Sequence, residues 1–266
     1  MQPDYTDAPI EQILEGGGRT LVTRQQDVVF RESKPWTPAI HLLLKHLENA
    51  GFNAAPRIAG SGFDERGRET LNYIHGEFVH PGPWSDEGLI EVGQLLRRLH
   101  DVTASFVPPV NAIWQPWFLR ELGGEKSVIG HGDLAPWNTI TQSGLPIAFI
   151  DWEYAGPLDP LVELARVCWL FPQLHDDDVA ARVGLPPLEK RLQQLRLLVD
   201  AYGLSKHQRP NLFERIVEVA VCETANDAIE TNVTPTTQGP LWGLAWRARA
   251  AAWMLKHRFP IERSLA

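Results

Sequence analysis

Between residues 76 and 84 the apolar pattern of this chain changes period, and that change limits what the chain can fold into. Before it, from "EQILEGGGRTLVTRQQDVVFRES" to "ETLNYIHGEF", short apolar runs are broken by Gly, Asp and Gln, the signature of strands joined by turns. One helix interrupts them. "TPAIHLLLKHLENAGF" predicts Thr37 as N-cap, Pro38 at the first helical position and a left-handed stop at Gly51, with Ile40, Leu43, Leu44 and Leu47 on the buried face. After the change, long helical periods take over. "SDEGLIEVGQLLRRLHDV" predicts Ser85 as N-cap, Asp86 and Glu87 in the first turn, and an apolar stripe through Leu89, Val92, Leu96 and Leu99. Further helices are expected over 158–171, 188–202, 211–231 and 240–258, with small strands in "KSVIG" and "PIAFIDW". The expectation is an α+β chain in two lobes: residues 1–78, an antiparallel sheet with one main helix, and residues 79–266, larger and mostly helical.

Composition narrows the class. At 266 residues and 44% apolar the chain can bury one large core or two modest ones sharing a boundary. No run of about 18 apolar residues occurs, and "MQPDYTDAPI" has neither a basic flank nor an apolar stretch, so a cytoplasmic protein without a membrane span is expected. Cys168 and Cys222 each sit in an apolar helical pattern and read as small buried hydrophobes, not as a disulfide or zinc site. A net charge of -8 argues against a nucleic-acid binder, while a nucleotide ligand needs only a local positive site.

The chemistry concentrates in "GHGDLAPWN", residues 130–138, and "FIDWE", residues 149–153. Phosphoryl transfer needs a base or orienter for the attacking hydroxyl and oxygen ligands that hold magnesium against nucleotide phosphates. Asp133, Asn138 and Asp151 are suitable. A hairpin turning near Ser143 and Gly144 would return Asp151 beside the loop that carries the other two.

These two motifs, in this order, resemble the aminoglycoside phosphotransferase and choline kinase family, relatives of the protein kinases. The order of elements, the loop "GEF" and the helix "LLRRLHD" match as well, so the resemblance covers nearly the whole chain. It implies a protein-kinase-like two-lobe fold that uses ATP or GTP with Mg. Asp133 would be catalytic base or hydroxyl orienter, Asn138 and Asp151 metal ligands, and His131 a brace for the loop. Tyr73, Ile74 and His75 would lie at the interlobe hinge, 73–78, which offers backbone groups to the base. Gly17 and Gly18 in "EGGGR" stand where a phosphate-covering loop belongs. Glu163 takes the place of an Asp that anchors the catalytic loop.

One departure is marked. Where the family carries a Lys on the third strand, paired with a Glu from the next helix, "VVFRES" offers Arg31 and the helix offers Ile40 or His41, so the ion pair is expected to be missing. Either Arg31 or Lys34 would then meet the phosphates; an arginine fork and an ammonium are not equivalent there. For the acceptor, "LHDDDV" supplies Asp176 and Asp177, and Glu223, Asp227 and Glu230 recur at helical spacing. Those carboxylates are either a site for a cationic hydroxyl compound or a solvated face. Trp242, Trp246 and Trp253 read as packing residues.

The segment "PWTPAIHLLLKHLENAGFNAAPRIAG" is similar to a subgroup described as resembling the trifolitoxin immunity protein. Two functions follow from the resemblances: a phosphotransferase acting on a small hydroxyl-bearing molecule, or an immunity protein that binds a peptide toxin with little catalysis.

Overall fold

The computed structural model describes residues 11–14, 21–239 and 241–266. Five antiparallel strands form one sheet: β1 (Gln12–Ile13), β2 (Val22–Gln25), β3 (Val28–Arg31), β4 (Ile58–Phe63) and β5 (Glu69–Asn72), in the order β1-β2-β3-β5-β4. The helix α1 (Thr37–Asn49) is inserted between β3 and β4 and packs on β4. Ile40, Leu43, Leu44 and Leu47 are buried as their spacing predicts. The caps are shifted by one residue. Trp36 is the N-cap and Thr37 is already helical, its hydroxyl accepting the Lys34 N–H at 3.0 Å. At the other end Ala50 is the C-cap and Gly51, at φ +75°, is the left-handed residue beyond it.

The helical part begins with α2 (Asp86–Thr103), where Ser85 accepts the Gly88 N–H at 3.0 Å, and Leu89, Val92, Leu96 and Leu99 are buried. Two antiparallel pairs follow. The strand β6 (Val128–Gly130) pairs with β9 (Gly156–Leu158), and β7 (Thr139–Gln142) pairs with β8 (Leu145–Phe149) through the Ser143-Gly144 turn. Then come α3 (Pro160–Leu170), α4 (Asp177–Arg182), α5 (Leu188–Tyr202), α6 (Leu212–Glu230), α7 (Trp242–Lys256) and α8 (Arg258–Leu265). The expected helix over 240–258 therefore stops at Lys256, and α8 follows as a separate element. The helix α4 falls where only a charge run was read. None of the described helices is long and apolar enough to cross a membrane.

The sheet and the helices share one apolar core, and hydrogen bonds join them at several points. The N–H of Phe149 donates to Ala54 O at 3.0 Å, His46 Nε2 meets Val102 O at 3.0 Å, and Glu77 and Thr141 exchange two backbone hydrogen bonds of 2.8 Å. The first of these contacts holds β8 against the chain after α1, which fixes where the strand end must deliver Asp151.

The backbones of α2 and α5 approach closely at Gly93. A Cβ on Gly93 would stand 2.5 Å from Leu198 O and 3.1 Å from the Tyr202 nitrogen, both backbone atoms that cannot turn aside. Alanine would add roughly 1 kcal/mol of helix propensity, but overpacking costs about 1–3 kcal/mol. Gly93→Ala is expected to be net destabilising, lowering the melting temperature by several degrees in a calorimetric scan; an unchanged or higher value would contradict this packing.

Candidate active site

The loop after β6 is shaped by what its neighbours demand. Gly132 sits at φ +82°, and a Cβ there would be 2.2 Å from Tyr154 O, so only glycine fits. Its N–H donates to Glu163 Oε1 at 2.6 Å, and its carbonyl accepts Trp117 Nε1–H at 2.8 Å. Glu163 also meets His100 Nε2 at 2.8 Å. Burial opposes its charge, but the His100 hydrogen bond and the surrounding positive groups outweigh it and hold the carboxyl below its usual range. Glu163 thus anchors the loop.

His131 is wholly buried. Its Nε2–H donates to Ile150 O at 2.9 Å, and its Nδ1 faces the Asp133 N–H at 3.3 Å. Burial pushes its pKa down to about 4, so it is neutral near pH 7 and braces the loop through its single N–H.

Asp133 and Asn138 come together across the turn at Pro136–Asn138. Asn138 Nδ2 donates to Asp133 O at 2.8 Å and to Asp133 Oδ2 at 2.9 Å. The other carboxylate oxygen, Oδ1, lies 2.8 Å from Arg166 Nη2. Arg166 is itself clamped: Nε and Nη2 donate to Glu223 at 2.8 and 3.1 Å, and Nη1 donates to Leu134 O at 2.9 Å. Burial is the largest influence on Asp133 and raises its pKa to about 6; Arg166 pulls the other way, but its charge is shared with Glu223. The carboxylate is poised near neutrality, as a proton acceptor should be.

Asp151 follows β8 at φ +67°, a left-handed conformation uncommon for Asp outside constrained sites. Its side chain is 45% exposed and its Oδ1 lies 3.2 Å from Arg31 Nη1. With Asn138 Nδ2 engaged on Asp133, the Asn138 amide oxygen is left for a ligand. Two such oxygens suit magnesium, which keeps several waters and takes phosphate oxygens for the remainder of its shell.

Arg31 finds an acid on the sheet and not on α1. Arg31 stands directly across from Glu69 in the β3–β5 register, and its Nε donates to Glu69 Oε2. His41 Nε2, from α1, meets the other oxygen of Glu69 at 2.9 Å. The acid comes from the neighbouring strand, and the helix contacts it through His41. Burial opposes the charge on Glu69, yet His41 and Arg31 together hold its carboxyl below the ordinary range. Lys34 turns instead to Glu32 at 2.6 Å and is not part of this cluster.

Tyr73 lies at the end of β5, its N–H on Asp27 O at 2.8 Å and its ring under the Arg24 guanidinium at 3.6 Å. His75 Nε2 meets Asp27 at 2.8 Å. Ile74 lies between them, on the stretch that runs to the Glu77–Thr141 bridge. Gly17 and Gly18 lie outside the described residues.

The carboxylates read as an acceptor surface are not free. Glu223 is 2% exposed and bound by Arg166, with Arg247 Nε at 3.3 Å. Asp227 meets Arg247 at 3.0 Å. Asp176 caps α4 by accepting the Val179 N–H and pairs with Arg249 at 2.5 Å. Asp177, 79% exposed, meets Trp253 Nε1 at 3.1 Å and Arg191 at 3.8 Å. A helical spacing of acids gives no information about arginines arriving from other helices, which is why the sequence suggested a cationic site. Sequence reading also passed over Glu69 and Arg166. Arg166 had a signal: a charge inside a helix with no polar face must be paired.

A model of the phosphotransferase enzyme family matches residues 112–194. A trifolitoxin immunity protein of Rhizobium leguminosarum bv. trifolii is 54% identical over 258 residues, 96% of this chain and 99% of that protein. Among solved structures, an amicoumacin kinase in complex with AMP-PNP, Ca2+ and Ami superposes with a TM-score of 0.67 at 14% identity, covering 95% of this chain and 88% of the other. The GDP and kanamycin complex of APH(2″)-IIia gives 0.54 at 14% identity, covering 96% and 92%. The fold is the two-lobe, protein-kinase-like one.

The Arg31–Glu69 pair, 12% and 1% exposed, can be tested by stability. Removing one partner of a buried pair costs about 3–5 kcal/mol because the other charge is stranded. Glu69→Ala is expected to lose stability on that scale in urea unfolding, and the double variant Arg31→Met with Glu69→Leu to recover at least half of it. Simple additivity of the two single changes would show that the pair is not coupled.

Proposed function

Since the chain belongs to the phosphotransferase enzyme family, in the branch of the trifolitoxin immunity protein, we propose that it transfers the γ-phosphoryl group of ATP or GTP to a hydroxyl of a small molecule. The observation that carries this reading is Asp133: a largely shielded carboxylate raised to about 6 and oriented by Asn138 of the same loop. The acceptor O–H bond breaks as its oxygen bonds to phosphorus. Its proton goes to Asp133, and the nucleoside diphosphate leaves with the electrons of the broken P–O bond.

The remaining residues bind and orient. Asn138 and Asp151 would hold magnesium, which supplies neutralisation of the phosphate charge. On nucleotide entry Arg31 turns from Asp151 to the phosphates while Glu69 keeps its Nε, so the fork loses one partner and gains another. Backbone groups of Tyr73, Ile74 and His75, at the 73–78 hinge between lobes 1–78 and 79–266, would receive the base. The acceptor would enter from the side of α6 and α7, where Arg166 connects Asp133 to Glu223.

Asp133→Asn is expected to lower transfer by about 10²–10⁴-fold while nucleotide affinity stays near that of the unaltered protein. For the unaltered protein kcat/KM should fall as pH drops below about 6, because protonation of the raised Asp133 removes the acceptor for the hydroxyl proton, and should level off above it. An ordinary Asp would place that fall near pH 4. Full transfer by Asp133→Asn, measured with labelled ATP, would remove Asp133 from the role.

A second reading has its own observation. Both reactive carboxylates are held by arginines, Asp133 by Arg166 and Asp151 by Arg31. A protein that confers immunity by binding a peptide toxin, without transfer, has no need to release either. Thermal shift with Mg and ATP or GTP separates the two: stabilisation by either nucleotide supports the transferase, and none by both supports the binder.

A further inference from the structure

We infer that Tyr202, at the end of α5, is a positioning residue for the loop that carries Asp133, acting through His100 and Glu163. The inference rests on the phosphotransferase reading for its effect on rate, and on the geometry behind Gly132 for the link itself.

The link is an unbroken row of hydrogen bonds across three helices. The Tyr202 hydroxyl on α5 meets His100 Nδ1 on α2 at 2.8 Å, and His100 Nε2 meets Glu163 Oε2 on α3 at 2.8 Å. The other oxygen of Glu163 accepts the Gly132 N–H at 2.6 Å, one residue before Asp133. Tyr202, His100 and Glu163 are each buried.

The protons in the row are ordered. Glu163 is held ionised and can only accept, so His100 Nε2 carries hydrogen. Nδ1 of the neutral ring is then an acceptor, and burial pushes the Tyr202 phenol above its usual range, which keeps its O–H in place to donate. An imidazole bonded at one nitrogen can still turn about its Cβ–Cγ bond. Bonded at both, it fixes the direction from which Glu163 is held, and with it the Gly132 peptide.

The hydroxyl is not what joins the helices. Leu195, Leu198 and Val199 are also buried on α5, and the backbones of α2 and α5 already touch at Gly93. The His100 and Tyr202 rings meet edge to face with centroids 5.6 Å apart, a contact that phenylalanine keeps. The Arg97 guanidinium, 5.8 Å from the Tyr202 centroid, is bound to Asp101 and does not compete for the hydroxyl. Tyr202→Phe therefore removes the bond to Nδ1 and leaves the packing.

The test uses the full chain with Tyr202→Phe. In ATP hydrolysis with magnesium, where water takes the place of the acceptor hydroxyl, kcat is expected to fall about tenfold while the KM for ATP stays within about twofold, because the loop is misplaced and the nucleotide is not. The Gly132 amide should exchange with deuterated water about tenfold faster by NMR, with the amides of α6 unchanged. Ile261→Val, a buried change on α8, is the control: it should lower the melting temperature by a few degrees with kcat and Gly132 exchange unaltered. In a double variant with Glu163→Gln, Tyr202→Phe should add nothing to the loss of kcat that Glu163→Gln causes alone. Full kcat in Tyr202→Phe, unaltered Gly132 exchange, or losses that multiply in the double variant would overturn the assignment. Exchange is measured without nucleotide, so it decides the link by itself, whereas failure of the unaltered chain to bind ATP would remove the phosphotransferase reading.

Discussion

The active loop and the stability of the helical part depend on one buried helix with two opposite charges. The helix α3 carries only Glu163 and Arg166 as charged side chains, and it is buried continuously from Val162 to Leu170. Desolvating two ions costs several kcal/mol each unless every lone pair and proton finds a partner. Glu163 finds Gly132 N–H and His100; Arg166 finds Leu134 O, Asp133 and Glu223. Three of those partners are in the loop. The helix can bury itself only if the loop adopts this path, and the loop is held in this path because the helix is buried. Site geometry and fold stability are here the same set of hydrogen bonds.

The same construction recurs on the sheet side. Asp133 and Asp151 each meet an arginine, and each arginine has a buried glutamate of its own: Asp133 with Arg166 and Glu223, Asp151 with Arg31 and Glu69. A glutamate that neutralises the arginine reduces its hold on the aspartate. That is why Asp133 can sit 2.8 Å from a guanidinium and still have its pKa raised by burial to about 6. An arginine facing Asp133 alone would pull it down, and the group would make a poor proton acceptor near neutral pH.

The fold was legible where local pattern decides. The faces of α1 and α2, the Ser85 cap, the Ser143-Gly144 hairpin and the positions of Asp133, Asn138 and Asp151 all follow from period, turn chemistry and motif spacing. What was not legible depends on register between distant segments. Arg31 faces Glu69 because β3 and β5 pair across an inserted helix and β4, and no local property of "VVFRES" or "ETLNY" states which residue will lie opposite which. Likewise the acidic spacing on α6 was visible, but Arg166 and Arg247 reach it from α3 and α7. A row of acids reads as a cation site until the helices that neutralise it are placed beside it.

Pairing Arg31 with an acid of the sheet also decides what can release it. If the counter-ion of Arg31 came from α1, any shift of that helix would release the arginine. Here the counter-ion is the cross-strand neighbour of Arg31, fixed by the β3–β5 hydrogen bonds, and α1 reaches it through His41. Movement of α1 would break the His41–Glu69 contact and leave Arg31–Glu69 in place. Arginine suits this arrangement better than lysine, because its fork serves Glu69 through Nε and leaves Nη1 to face Asp151 or a phosphate. Arg31 is therefore tied to the sheet through Glu69, and its contact with Asp151 is the one free to change.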